Sequence, residues 1–359
     1  MTTRAIELFG CSGGMAEGFR RAGIEFAEAF DSDADACESY ARNLGHRPIR
    51  MDVRELLRLT TLAGCTPGKL ELVVADPPCT PWSRAGKRRG LEDGRDMLAV
   101  TTELLQHWSP TTWLIGNVAG LDDAPNAEAL QHTMGRLATG YCIDFALLDA
   151  AAYGVPQHRW RPFWFGHPTG TSCIRWPQPT HCGDDKQLQL AGTQLTPLVT
   201  VRQALAHLTR RELGTPIRIR TRSGRHGHPC SRAHRPAGTI AASMPGNGGG
   251  VLAYGTGRHH RPGHPDEPAR TLTRNTHSDG ALAHWPWTRK PRSDGPNAIK
   301  LSEHAAAILQ GFPAGWQFAG NTKRSRWSQL GQAMPPPLAA AVAHQIAAWL
   351  HAYGQEHAA

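Results

Sequence analysis

The chain has 359 residues, enough to bury a substantial core and to form one main domain with a smaller one beside it. Thirty-nine Lys and Arg against 30 Asp and Glu leave a net charge of +9, with a pI near 9.4, which favours a polyanionic partner. No apolar run reaches membrane-spanning length, no signal peptide is read at the start, and the eight cysteines include no Cys-x-x-Cys pair, so neither a membrane span nor a bound metal is expected.

Along the first 167 residues, short apolar runs alternate with helical patterns, which argues for an α/β fold around a parallel sheet. Strands are predicted at 5–9, 26–30, 70–75, 113–118, 143–148 and 162–165, and helices at 33–43, 97–107 and 127–138. From about His167 the texture changes: residues 168–300 are rich in Pro, Gly, His, Arg and Thr and suit a smaller, loop-rich second domain. Within it, Arg235-Pro236-Ala237-Gly238-Thr239-Ile240 and Glu267-Pro268-Ala269-Arg270-Thr271-Leu272 form a weak repeat. Ser302, with Glu303 behind it, reads as a helix N-cap, and the Ala-rich stretch 337–350 reads as a closing helix. The expected divisions are therefore 1–167, 168–300 and 301–359.

Two motifs carry chemistry. Asp76-Pro77-Pro78-Cys79-Thr80-Pro81 follows the apolar run 70–75, so Cys79 stands just past the C-terminal end of a strand, the edge where open α/β sheets bind ligands. Three prolines restrict φ around the thiol and suit a nucleophile; a small residue in a rigid turn is the plainer reading. Gly10, Gly13 and Gly14 lie between a strand and a helix, where glycine permits close approach of backbone to a ligand. Asp31 ends the second strand, where an acid commonly bonds ribose hydroxyls, although Asp31, Ser32 and Asp33 also read as the start of a helix.

Eight blocks in order make the chain resemble the DNA cytosine-5 methyltransferase family. They are Glu7-Leu8-Phe9-Gly10-Cys11-Ser12-Gly13-Gly14-Met15, Asp31-Ser32-Asp33, Asp52-Val53-Arg54, the Pro-Pro-Cys block with Ala85–Gly90, Asn117-Val118, Gly154-Val155-Pro156-Gln157-His158-Arg159-Trp160-Arg161, Gln310-Gly311-Phe312-Pro313 and Gln329–Pro337. The resemblance implies a Rossmann-like, S-adenosylmethionine-dependent methyltransferase sheet with a target-recognition domain, and a C-terminal segment that packs back on the first domain. It implies a cofactor pocket made by Phe9, Gly10, Gly13, Gly14, Asp31, Ser32, Asp52, Val53, Asp76, Pro78, Gln332 and Ala333. Cys79 matches the nucleophile that adds to cytosine C6, Arg161 the arginine that bonds cytosine O2, and Arg159 with Arg161 would favour the thiolate. Asn117 and Gly116 complete the catalytic block. The target base must be flipped out of the duplex. Asp76 with two prolines also resembles the amino-methyltransferase signature, but Cys79 in place of the aromatic residue and Gln157-x-Arg159-x-Arg161 favour transfer to C5.

Two departures stand out. Gly116 occupies the position of the family's glutamate, whose protonation of N3 is general-acid help of a kind worth roughly 10²–10⁴ in rate. Gln332 stands where the family usually has Asn, and Thr80 where it usually has Gln. Several explanations follow: a weakened methyltransferase, an inactive base-flipping DNA-binding protein, an unusual target base, or a larger donor. Removing a fixed carboxylate suits carboxy-S-adenosylmethionine, which would yield 5-carboxymethylcytosine. The expected partner is double-stranded DNA, with RNA as a lower-ranked substrate, and the expected state is a monomer in the cytoplasm of a bacterial or phage-infected cell. Arg218, Arg220, Arg222 and Arg225, then His226, His228, Arg258, His259, His260 and Arg261, form basic stretches for phosphate or base contacts, with Gly246–Gly250 as a loop between them. Lys87, Arg88 and Arg89 would steady the DNA backbone beside the flipped base.

Overall fold

The computed structural model describes residues 4–63, 70–78, 97–118, 124–183, 195–218, 269–270, 282–284 and 297–357. Cys79, Thr80, Lys87, Arg88 and Arg89 lie outside these residues, as do the basic groups from Arg220 to Arg261, the Gly246–Gly250 segment and most of the weak repeat. Contacts divide the chain into two compact units. One holds residues 1–148, 160–178 and 338–359; the other holds 149–159 and 179–337. The textural boundaries at 167/168 and 300/301 follow composition, whereas these units follow packing, and residues 301–337 fall with the second unit.

The first unit is built on β1 (Ala5–Leu8), α1 (Gly14–Arg21), β2 (Phe26–Asp31), α2 (Ala34–Leu44), β3 (Ile49–Arg50), α3 (Val53–Ala63), β4 (Leu72–Ala75), α4 (Met97–Trp108), β5 (Thr112–Gly116), α5 (Ala124–Leu137) and β6 (Tyr141–Asp149). After the two-residue strand β7 (Gln157–His158), which belongs to the second unit, β8 (Trp160–Pro168) completes its sheet. The sheet order is β3-β2-β1-β4-β5-β8-β6. β1 pairs in parallel with β2 on one side and with β4 on the other, so the chain reverses its direction of travel across the sheet between β1 and β4. Such a switch point leaves a crevice at the carboxyl ends of the strands. β1 and β4 are buried at every position, which explains why β4 is a continuous apolar run rather than an alternating one.

Parallel pairing does not extend through the whole sheet. β8 runs antiparallel to β5, with Trp113 opposite Gly166 and Gly116 opposite Phe163. Residues 150–159, between β6 and β8, are too few for the crossover of a dozen or more residues that parallel neighbours need. Gly166 is required by this pairing: a Cβ there would lie 1.9 Å from the Trp113 ring. The core gathers Ile6, Leu8, Val73, Leu104, Leu105, Trp113, Ile115 and Trp164 into one cluster. β3 and α3 were not anticipated from sequence; β3 is two residues long and too short to show a period.

Local signals explain the helix ends. The Asp33 carboxylate accepts from the N–H groups of Asp35 and Ala36 and caps α2, which stops at Gly45 with φ of 83°. The closing helix, Pro336–Glu356, runs for 21 residues. Its Leu338, Ala339, Val342 and Ile346 are fully buried. A Cβ on Gly18 of α1 would lie 2.3 Å from Ala339 Cβ and 2.7 Å from the Ala340 nitrogen, so the two helix backbones touch at a point only glycine allows.

In the second unit a 3-10 turn (Ala150–Tyr153) follows Asp149, whose carboxylate accepts from the Ala151 N–H, and it ends at Gly154 with φ of 81°. Next come β9 (His181–Cys182), β10 (Thr196–Pro197), α6 (Val201–Leu205), α7 (Arg210–Leu213), β11 (Gly214–Arg218), β12 (Ala269–Arg270), β13 (Leu282–His284), β14 (Asn297–Leu301), α8 (Glu303–Leu309) and α9 (Lys323–Gln332). β14 is flanked by β11 and β13 in an antiparallel sheet, and β12 pairs with β7. The Ser302 hydroxyl accepts from the Ala305 N–H, making it the N-cap of α8.

Candidate active site

β1 leads into a tight turn with positive φ at Phe9 (61°), Cys11 (48°) and Gly13 (88°). The left-handed region costs a non-glycine residue of order 1–3 kcal/mol and persists only where the surroundings impose it. Here the Gly10 N–H donates to the Phe30 carbonyl at 3.0 Å, and the Gly13 N–H to the Gly10 carbonyl at 2.9 Å. The Cys11 N–H donates to Asp31 Oδ2 at 2.8 Å. A Cβ at Gly10 would come within 3.2 Å of the Tyr40 ring and 3.3 Å of a Glu7 oxygen, so the turn is folded tightly over the residues beneath it. Gly13 and Gly14 open α1 and leave backbone N–H groups at its first turn.

Asp31 is the hinge of this region. Its Oδ1 accepts from the Asp33 N–H at 2.8 Å while Oδ2 holds Cys11. Burial pushes its pKa up, and the bonds from the Asp33 and Cys11 N–H groups oppose the rise. The Asp31 carbonyl accepts from Met51 N–H at 2.9 Å, which sets Asp52 next to it in the chain that enters α3. Asp52 Oδ1 accepts from the Arg54 N–H, and Oδ2 pairs with the Arg54 guanidinium at 2.6 Å. That guanidinium holds the Asp52 carboxyl below the usual carboxylate range. Ser32 is exposed and Val53 is buried.

At the end of β4, Asp76 is half-buried, Pro77 buried and Pro78 exposed. Asn117, 2% exposed at the end of β5, donates from its side-chain amide to the Pro77 carbonyl at 3.2 Å. Its Oδ1 accepts from the Val118 N–H at 2.8 Å, and its own N–H donates to the Pro162 carbonyl of β8. Gly116 is buried opposite Phe163, so the strand ends without a carboxylate at that position. Arg161, also on β8, is buried and donates from Nη1 to the Trp160 carbonyl at 3.3 Å.

Sequence reasoning missed Glu7 as a feature of the site. It is 1% exposed, and its Oε2 accepts from the Tyr40 hydroxyl at 2.9 Å. Burial, reinforced by the nearby charges of Asp31 and Asp76, pushes its pKa up to about 8, and the bonds from the Tyr40 hydroxyl and the Ala16 backbone oppose this. The available signal was an acid inside the apolar strand Ala-Ile-Glu-Leu.

The remaining predicted residues lie in the second unit. Arg159 is fully buried and donates from Nη2 to the carbonyls of Gly331 (2.9 Å) and Ala333 (3.0 Å). Gln310 donates to the carbonyls of Leu330 and Ala333, both at 2.7 Å. Together they fasten the C-terminal end of α9, whose carbonyls have no partner within the helix. Gln332 is exposed there and Ala333 is buried. Arg159 thus has a defined positioning partner that sequence did not indicate.

A family model described as C-5 cytosine-specific DNA methylase matches residues 3–348. The type II methyltransferase M.AgeI of Thalassovita gelatinovora is 34% identical over 219 residues, 57% of this chain and 51% of its own length. M.NgoMIV of Neisseria gonorrhoeae, another type II methyltransferase, is 27% identical over 356 residues, covering 96% of this chain and 97% of the relative. Among solved structures, the S. pombe Dnmt2 methyltransferase superposes with a TM-score of 0.63 at 18% identity, covering 98% of this chain and 99% of that one. The Entamoeba histolytica methyltransferase EhMeth gives 0.64 at 13%, with 98% and 99% covered. At such identities the two structures speak to the fold alone.

Proposed function

Since the chain belongs to the C-5 cytosine-specific DNA methylase family, we propose that it transfers a methyl group from S-adenosylmethionine to C5 of a cytosine flipped out of double-stranded DNA, by way of a covalent Cys79 adduct. The observation that carries this reading is the pairing, in one unit, of a glycine turn closed on Asp31 with the end of β4, where Asn117 holds the Pro77 carbonyl. The residues at the strand switch fit the donor: the Gly10 turn leaves no room for a side chain, and each Asp31 oxygen keeps a second lone pair for a ribose hydroxyl. When bound, S-adenosylmethionine supplies an electrophilic methyl on a sulfonium. Phe9, Gly10, Gly13, Gly14, Ser32, Val53, Asp76 and Pro78 are the donor-binding residues of the first unit in this reading, and Gln332 and Ala333 those of the second.

In this proposal the Cys79 thiolate forms a bond to C6 and directs the C5–C6 electron pair to C5, where a bound donor would supply the methyl group from its sulfonium, leaving as the thioether. A base then removes the C5 proton, the C5–C6 double bond re-forms, and the Cys79–C6 bond breaks. Arg161 binds the pyrimidine O2 and Arg159 holds the segment around Gln332. Gly116 offers no acid to N3, so the rate falls short of that of a glutamate-bearing site by roughly 10²–10⁴.

A second reading rests on Gly116, buried at the end of β5, together with Gln332. The absent carboxylate leaves neither bulk nor negative charge beside the transferred group, which suits a donor carrying a carboxymethyl group, since like charges in a low-dielectric site repel strongly. The product is then 5-carboxymethylcytosine. Mass spectrometry of nucleosides, after DNA is incubated with the protein and each donor in turn, separates the readings. Methylcytosine from S-adenosylmethionine and no carboxymethylcytosine from the second donor removes the carboxymethyl reading. No product from either, with no covalent complex on a 5-fluorocytosine duplex, removes both and leaves a DNA-binding protein.

A further inference from the structure

The register of β8 places His167 at the opposite end of the sheet from Asn117. Gly116 at the C-terminal end of β5 faces Phe163, and Trp113 near its N-terminal end faces Gly166. At that far end three potential metal ligands converge. The ligand atoms of Asp144 on β6, His167 on β8 and Cys173 beyond it all lie within 4.8 Å of one another. Asp144 is half-buried, His167 fully buried and Cys173 exposed.

The hydrogen bonds orient the imidazole. The Thr171 hydroxyl donates to the Pro168 carbonyl at 2.7 Å. Its oxygen therefore accepts from His167 Nδ1, 2.7 Å away, and Nδ1 carries the proton. In a neutral ring, Nε2 then bears a lone pair. It is buried, makes no hydrogen bond among the described residues, and lies 3.3 Å from Asp144 Oδ2. A lone pair facing a carboxylate oxygen is repulsive unless a cation stands between them. A histidine that donates Nδ1–H to an outer partner while its Nε2 faces an acid is the usual arrangement of a metal-bound imidazole. The carboxylate is itself held by the Ile174 N–H at 2.7 Å. The ring is packed by Phe165 and Trp349, whose indole N–H donates to the Ser172 carbonyl at 2.7 Å, fixing the loop between His167 and Cys173.

We propose that Asp144, His167 and Cys173 bind a divalent transition-metal ion of the zinc class. Thiolate, imidazole and carboxylate suit that ion, and a tetrahedral site with Zn–ligand bonds of about 2.0–2.3 Å needs only a small contraction of the present cluster. Cys142 is the candidate fourth ligand. It stands two residues before Asp144 on β6, hence on the same face of the strand, and it is exposed. Metal binding there displaces the thiol proton and ties β6, β8 and the following loop together, remote from the cofactor crevice.

The full-length protein, reduced and stripped with a chelator, is titrated with Co²⁺ and followed by near-ultraviolet absorbance, then with Zn²⁺ in a thermal melt. One equivalent of Co²⁺ with a thiolate-to-cobalt charge-transfer band, displaced by Zn²⁺ and accompanied by a rise in Tm, is expected. Cys173→Ser, at an exposed position, loses the Cys173 share of the band, and Cys142→Ser added to it removes the rest; Cys182→Ser keeps the band whole. Thr171→Val keeps the band but weakens binding by about 10–100-fold, the effect of losing an outer partner. No band in the reduced protein, or a band that survives Cys173→Ser unchanged, overturns the site. In the first case a buried His167–Asp144 ion pair accounts for the cluster instead.

Discussion

The amide of Asn117 donates to the Pro77 carbonyl at 3.2 Å, joining the end of β5 to a residue two positions before Cys79. Asn117→Ala removes that donor and the Val118 contact from a buried position. Stability should fall by about 1–3 kcal/mol in urea melts. Single-turnover transfer should slow while the donor's Kd changes little; an equal loss in both would point to general damage instead of positioning.

Cys79→Ser should bring product formation below detection and abolish trapping on a 5-fluorocytosine duplex. Gly116→Glu separates the two donors. It should raise methyl transfer by roughly 10²–10⁴ if the missing acid limits the rate. Under the carboxymethyl reading the same change should suppress carboxymethyl transfer, measured on the same DNA by nucleoside mass spectrometry.

The Glu7 carboxyl, raised from 4.5 to about 8, makes stability depend on pH. Between those values the folded chain holds a proton that the unfolded chain has released, so stability falls as pH rises through the window. The loss is on the order of a few kcal/mol. Glu7→Gln should flatten the slope of Tm between pH 5 and pH 8 and should melt higher than the parent at pH 8. An unchanged slope would mean that Glu7 ionises normally.

Gly18→Ala should destabilise the protein even though alanine favours a helix by about 1 kcal/mol. The new methyl meets the Ala339 and Ala340 backbone at under 3 Å, and overpacking of this kind costs about 1–3 kcal/mol or more. Gly354→Ala, near the end of the closing helix where no atom of the described residues lies within 4 Å, should leave Tm unchanged or raise it.

Arg159→Ala should cost about 1.5–3 kcal/mol through the lost bonds to Gly331 and Ala333. Thiol alkylation then tests its second proposed role. If Arg159 acts only on the α9 end, the apparent pKa of Cys79 stays that of the parent, whereas Arg161→Ala should shift it upward.

The elements of the first unit were legible in sequence because their signals are local. The apolar run of β4 marks a strand buried on both faces, Asp33 caps its own helix, and the glycines after β1 mark a turn that must bend sharply. The order of short motifs was likewise enough to indicate the family. Folding alone decided the antiparallel placement of β8, the contact of Gly18 with Ala339, the carbonyl partners of Arg159 and the meeting of Asp144, His167 and Cys173. Each joins residues far apart in the chain, and only strand register and helix packing bring their atoms within hydrogen-bonding or van der Waals range. A motif can be read from its neighbours in sequence, but a carboxylate 3.3 Å from a buried imidazole becomes visible only once the strands that carry them have been laid side by side.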